Sequence, residues 1–188
     1  KRRNGTVLGE GAGILVLEAM DHARERGAEV LAEVCGFGMT SDAGDMVNPN
    51  VEGPANAMSL ALADAGLGPG DIDYLNAHGT ATTANDLNET RAIKTVFGSD
   101  AYRLAISSTK SMHGHCLGAA GGVEAIASIQ AMREGFIPAT IGFDEPGNEC
   151  DLDYTPNEGR ARRIGYVMSN SFAFGGLNAV LILGPAPA

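Results

Sequence analysis

Cysteine is scarce: Cys35, Cys116 and Cys150 are the only three in 188 residues. They are too few and too scattered for a disulfide framework, so a reducing, cytoplasmic setting is expected. Cations are scarce too, with 13 Lys and Arg against 23 Asp and Glu and a formal charge of −10. Nucleic-acid binding wants a basic face, so no such partner is expected. The small cationic group Arg160, Arg162 and Arg163 reads as a solvated turn or as a dock for an acidic partner. No uncharged apolar window of about eighteen residues occurs, so no membrane span is expected, and nothing at the N-terminus reads as a signal peptide. A glycine period of three is missing, which excludes collagen. A Walker loop, a serine elbow and a complete dinucleotide fingerprint are missing as well; Gly36-Phe37-Gly38 is only a fragment of the last.

What is there suits a folded domain. Hydrophobic residues make up 44% of the chain and charged ones 19%, enough for a buried core. The 26 glycines imply many tight turns and close backbone approaches. The apolar run Ile14 to Leu17 leads into a charged, helix-like stretch ending at Gly27, as if the chain opened inside a structured region. Strands are expected over 29–36, 72–76, 104–107, 166–169 and 178–183. Helices are expected over 54–65, stopped by Gly66, over 86–97, closed by Gly98, and over 118–133. Helices alternating with short apolar strands predict an α/β fold whose sheet is covered on both faces, with the last two strands paired as neighbours.

Three glycine-bordered segments carry the chemistry. In the first, the apolar run from Ile72 delivers Asn76-Ala77-His78-Gly79 to a strand end, where open α/β sheets commonly place their sites. Thr80 and Thr82 offer hydroxyls to a polar substrate arm, and Asp86 with Glu89 has the spacing of a capping box for the next helix. The competing reading makes His78 a core histidine satisfied by backbone.

The second segment is Ser107-Ser108-Thr109-Lys110-Ser111-Met112-His113-Gly114-His115. Lysine rarely sits among small and apolar residues unless its ammonium is paired or used. His115 precedes a helix whose free amides disfavour imidazolium, leaving a neutral N–H donor for a developing oxyanion. Glu124 can pair with Lys110, either within a site or as a plain tie between strand and helix. Metal ligation by His113, His115 and Cys116 has the wrong spacing for a zinc knuckle, and no metal is expected. Cys116 as a nucleophile is weighed against an ordinary core cysteine before a packed helix.

The third segment, Asn170-Ser171-Phe172-Ala173-Phe174-Gly175-Gly176, links the last two strands. Its aromatics can seal or swing over a pocket, and the amides of Gly175 and Gly176 can approach a substrate oxygen. Burial of one phenylalanine is expected, burial of both less so.

Taken in order, Gly9-Glu10-Gly11-Ala12-Gly13 with Leu15-Val16-Leu17-Glu18, Ala77-His78-Gly79-Thr80, Ser108-Thr109-Lys110-Ser111 with Gly114-His115, Gly118-Ala119-Ala120-Gly121-Gly122, and Asn170-Ser171-Phe172 with Phe174-Gly175-Gly176 give a specific likeness. The chain resembles the C-terminal part of a beta-ketoacyl-[acyl-carrier-protein] synthase over essentially its whole length. The resemblance implies a thiolase-like fold of two α/β halves related by pseudo-twofold symmetry. Residues 1–27 would be the last strand and helix of the N-terminal half, and residues 28–188 the C-terminal domain.

It further implies a decarboxylative Claisen condensation in fatty acid biosynthesis, with the nucleophilic cysteine in the absent N-terminal half. His78 and His115 would hold the malonyl thioester carbonyl, and Lys110 with Glu124 would organise charge beside them. Thr80 and Thr82 would touch the pantetheine arm. Phe172, Phe174 and Gly175 would form the gate and oxyanion loop. No cofactor is implied beyond the phosphopantetheine of acyl carrier protein, the expected partner, and a homodimer is implied for the full-length enzyme.

Ala81, Thr83, Ala173 and Leu177 depart from the commonest family pattern, and the Phe-Ala-Phe form resembles synthases of nodulation or polyketide type. A thiolase would need a late cysteine in this loop, where none stands. A chain-length factor tends to lose the histidines and lysine kept here. A carrier-protein-binding fragment without catalysis is the reading from a different class.

Overall fold

In the computed structural model, which describes residues 1–186, the apolar strands assemble into one mixed sheet. Strands β1 (Glu33–Ser41), β2 (Ile72–Asn76), β3 (Ala105–Ser107), β6 (Tyr166–Ala173) and β7 (Leu177–Gly184) lie in the order β1-β7-β6-β2-β3. The pairs β1/β7 and β6/β7 are antiparallel, whereas β2 runs parallel to both β6 and β3. Two short strands, β4 (Phe136–Ile137) and β5 (Arg160–Ala161), form a separate ribbon.

Side-chain alternation sends successive residues of a strand to opposite faces. Leu75 packs with Met58 and Leu62 of α2 (Glu52–Ala65) and with Ile93 and Phe97 of α3 (Thr83–Phe97). Tyr74 faces the other way, toward Ala131 and Met132 of α5 (Ala120–Glu134). The sheet is thus covered on both faces, as its nearly all-apolar strands demand. Two short helices complete the set, α1 (Met20–Glu25) and the single turn α4 (Lys110–His113).

Four expectations need correction. The strand that the resemblance implies within residues 1–27 is not formed: the apolar run 14–17 is irregular and Ile14 and Val16 are exposed, with no strand among the described residues paired to them. Strand β1 lies further along than 29–36, since its register is set by pairing from Glu33↔Gly184 to Ser41↔Leu177. The helix after His78 begins at Thr83, capped by the Thr82 hydroxyl accepting from the Asn85 amide at 3.3 Å, so Asp86 is not its cap. Glu89 consequently has no capping-box partner and is free for another role. The expected pairing of the last two strands is observed from Val167↔Leu183 to Ala173↔Leu177, which draws Phe172 and Ala173 into β6 and leaves only residues 174–176 as the turn.

Three parallel strands β6, β2 and β3 end on the same side of the sheet. There β2 runs out into His78 and β3 into Lys110 and His115, while β6 carries Asn170 and Phe172 within its last four residues.

Candidate active site

His78 stands two residues beyond β2 and is buried. Its backbone is held by Glu89, whose carboxylate accepts the His78 amide and the Gly79 amide, each at 2.9 Å. The same carboxylate accepts the side-chain amides of Asn170 at 3.1 Å and Asn85 at 3.3 Å. Four N–H donors converge on this carboxylate, and they oppose the upward pull that burial, and to a lesser degree the Asp86 carboxylate, exert on its pKa. Gly79 is obligatory: its φ is +40°, and a Cβ there would come within 2.5 Å of the Ser108 side chain. The Ser108 hydroxyl instead donates to the Gly79 carbonyl at 2.8 Å and ties the two loops together.

The His78 and His115 rings meet edge to face, with centroids 5.5 Å apart and planes at 84°. Phe172 closes the other side of His78 at 5.6 Å. The His115 backbone is stitched to the N-terminal segment, its amide donating to the Val7 carbonyl at 2.8 Å and its carbonyl accepting from Gly9 at 3.1 Å. Nδ1 of His115 accepts the Leu117 amide at 3.1 Å, so the neutral ring carries its hydrogen on Nε2. Nδ1 of His78 is buried with no hydrogen-bond partner among the described residues.

Both imidazoles are held neutral. Burial, then the Lys110 ammonium, then His115 push His78 well below its ordinary 6.5. Burial, Lys110 and His113 lower His115 in the same order of effect. The field of the following helix is therefore not the main cause, although one of its entering amides does bind the ring. Lys110 is itself buried and paired with the buried Glu124. Burial pushes the Glu124 carboxyl up to about 7, against the downward pull of Lys110. One Glu124 oxygen, Oε2, has no hydrogen-bond partner among the described residues. Beneath the pair, Asn76 reaches Thr109 at 3.3 Å and the Glu124 carbonyl at 3.4 Å.

A cleft of about 990 Å³ opens beside this cluster, lined by Thr80, Lys110, Ser111, His113 and His115 among others. Thr80 shares a 3.0 Å hydrogen bond with Thr82, whose hydroxyl is also the helix cap, so of the two only Thr80 lines the cleft. Ala81 between them adopts φ +61°, the left-handed conformation in which glycine is at ease and alanine is strained.

The structure therefore brings together His78, Lys110, His115, Glu124, Thr80 and Phe172. Phe174 it leaves outside, 77% exposed on the β6–β7 turn. The Gly175 amide already donates to the Met46 carbonyl at 2.9 Å and the Gly176 amide to Ala173, so neither is free as an oxyanion donor in this arrangement. Burial of Phe172 alone agrees with the expectation that one phenylalanine is core. Sequence reading missed Glu89 and Asn170 as supports. The only signal was an acidic residue set helically behind His78, and it was also consistent with a cap. Among the described residues no group of three potential ligands could hold a metal. Cys150 lies against Thr90 and Arg3, away from the histidine pair, and Cys35 lies in β1.

Fold and site define a thiolase-like α/β domain in which two neutral histidines meet a buried lysine–glutamate pair. Residues 31–144 match the family model for the beta-ketoacyl synthase C-terminal domain. Nodulation protein E of Rhizobium leguminosarum bv. trifolii is 59% identical over 179 residues, 95% of this chain and 44% of that protein. The 3-oxoacyl-[acyl-carrier-protein] synthase 2 of Coxiella burnetii (strain RSA 493 / Nine Mile phase I) is 52% identical over 185 residues, 97% of this chain and 45% of that protein. Among solved structures, the ishigamide ketosynthase/chain length factor superposes with a TM-score of 0.96 at 46% identity, covering all of this chain and 46% of that one. The chain belongs to the beta-ketoacyl synthase family. It spans less than half the length of each of these relatives.

Proposed function

We propose that the protein containing these residues is a 3-oxoacyl-[acyl-carrier-protein] synthase acting in the cytoplasm, and that its decarboxylation centre is the His78–His115 pair. The observation that carries this reading is the edge-to-face contact of two imidazoles, both held neutral beside a buried ammonium. When a malonyl thioester loses carbon dioxide, the bond between Cα and the carboxylate breaks, and its electron pair moves toward the thioester carbonyl oxygen. Fixed, neutral N–H donors stabilise that oxygen in the enolate more than in the ground state, which is the condition for catalysis. The enolate carbon then attacks an acyl thioester on the nucleophilic cysteine of the family's N-terminal half, and the cysteine thiolate leaves.

Lys110 and Glu124 keep the local charge balanced, and Lys110 disfavours a protonated imidazole at either histidine. Thr80, and Thr82 behind it, would hold the pantetheine arm in the cleft. Phe174 and Gly175 would act as a gate on rearrangement of their turn, because the Gly175 amide must first leave Met46. Acyl carrier protein is the partner, in keeping with the name of the Coxiella relative, and a homodimer is expected for the full-length protein.

The test is malonyl decarboxylation by the full-length protein and by its His78→Ala and His115→Ala variants. Loss of decarboxylation with acylation of the nucleophile intact supports the reading; an unchanged rate refutes it. A second reading, a specialised acyl chain of nodulation or polyketide type, is favoured by the higher identity to nodulation protein E. Mass spectrometry of the carrier-bound products decides between the two.

A further inference from the structure

His113 lines the cleft two residues before His115 yet takes no part in the chemistry above. Its ring is nonetheless fixed at both nitrogens: Nδ1 lies 2.7 Å from the Gly114 carbonyl and Nε2 lies 3.2 Å from the Thr109 hydroxyl. A carbonyl can only accept, so Nδ1 carries a hydrogen. In the neutral ring Nε2 then accepts from Thr109, whose oxygen in turn accepts the Asn76 amide at 3.3 Å. One polar chain runs from strand β2 through Thr109 and His113 to the peptide that carries His115.

That peptide needs holding. Gly114 has φ +74°, and a Cβ on it would come within 2.9 Å of the Gly9 backbone, so no side chain can stiffen it. The Gly114–His115 peptide plane is free to rock unless hydrogen bonds fix both of its edges. The Val7 carbonyl takes the N–H at 2.8 Å, and His113 Nδ1 takes the carbonyl at 2.7 Å.

We propose that His113 is a positioning residue for His115: it locks the Gly114–His115 peptide and so sets the direction in which the His115 imidazole points. The catalytic consequence rests on the ketosynthase reading, whereas the positioning itself does not. His113→Ala removes both contacts. His113→Asn keeps an N–H near the Nδ1 position, and His113→Gln carries its amide toward the Nε2 position.

Nitrogen-15 NMR of the full-length protein, labelled at histidine, reads the first consequence. His115 should show a single Nε2–H tautomer in the unsubstituted chain, a mixed or exchange-broadened signal in His113→Ala, and the single tautomer again in His113→Asn. An unaltered His115 signal in His113→Ala, or restoration by Gln and not by Asn, overturns the proposal.

In the full-length protein, kcat for malonyl decarboxylation should fall by about 10- to 100-fold in His113→Ala, at unchanged KM, and recover in His113→Asn. An unchanged kcat, or an effect confined to KM, overturns the catalytic consequence. If the unsubstituted protein does not decarboxylate malonyl thioesters, the ketosynthase reading fails, and the tautomer of His115 still decides the role of His113.

Discussion

Two apolar runs, Ile14-Leu15-Val16-Leu17 and Ile72-Asp73-Tyr74-Leu75, meet opposite fates in this molecule. The second lies between β6 and β3, with Tyr74 and Leu75 fully buried. In the first, Ile14, Val16 and Leu17 are 87%, 86% and 75% exposed. Apolar composition alone does not make a strand: neighbours must take up the backbone N–H and C=O groups, and a face must receive the side chains. The difference extends to the site, since His78 inherits the rigidity of β2 and is braced again by Glu89. The N-terminal segment reaches His115 through backbone alone, at Val7 and Gly9, and adds one side-chain contact beside it, the Thr6 hydroxyl donating to the Thr80 carbonyl at 3.2 Å.

This contrast between a braced strand end and an unbraced segment can be broken most severely at the buried ion pair. Lys110→Ala strands the Glu124 carboxyl and should cost about 3–5 kcal/mol of unfolding free energy, read from the urea midpoint. A loss under about 1 kcal/mol would mean that Glu124 is solvated or neutral without its partner. Next comes the brace: Glu89→Ala leaves the His78 and Gly79 amides and the side-chain amides of Asn85 and Asn170 without their acceptor. Each unsatisfied buried group costs about 1–3 kcal/mol, so a total near 3 kcal/mol is expected even after water enters. Retained stability would show that the loop is held by Ser108 alone.

The charge balance gives a prediction with a sign. His78 and His115 are held below 6.5, so under that pH the unfolded chain binds more protons, and stability falls as pH drops through their folded pKa values. Glu124 works the other way. Raised from 4.5 to about 7, it keeps a proton that the unfolded chain releases, so its contribution falls as pH rises across that window. Glu124→Gln should therefore steepen the rise of stability with pH between 4.5 and 6.5, measured by denaturation at a series of pH values. A flatter curve would contradict the raised carboxyl.

The smallest effect lies in the unbraced segment. Ile14→Ser and Val16→Ser remove little buried area from this chain and should shift its stability by no more than about 0.5 kcal/mol. A larger loss would reveal a partner surface for those side chains.

Much of the site was legible because its residues are chemically out of place. A lysine behind the strand Ala105-Ile106-Ser107 had to be paired, and Glu124 was the acid within reach. Histidines bordered by glycines at strand ends pointed to chemistry, and the element order pointed to a covered sheet. The support by Glu89 and Asn170 was hidden, because 81 positions separate two residues that share one hydrogen bond. The engagement of the Gly175 amide was hidden for a similar reason, since Met46 lies on a remote loop.

By itself, then, the sequence determined the periodic elements, the glycine turns and the identity of the titratable groups, because those depend on local spacing and on what each side chain can do. Tertiary structure alone decided which groups face one another and in what protonation state. Neutral histidines follow from burial beside Lys110, and burial is a property of three strand ends converging rather than of any segment of chain.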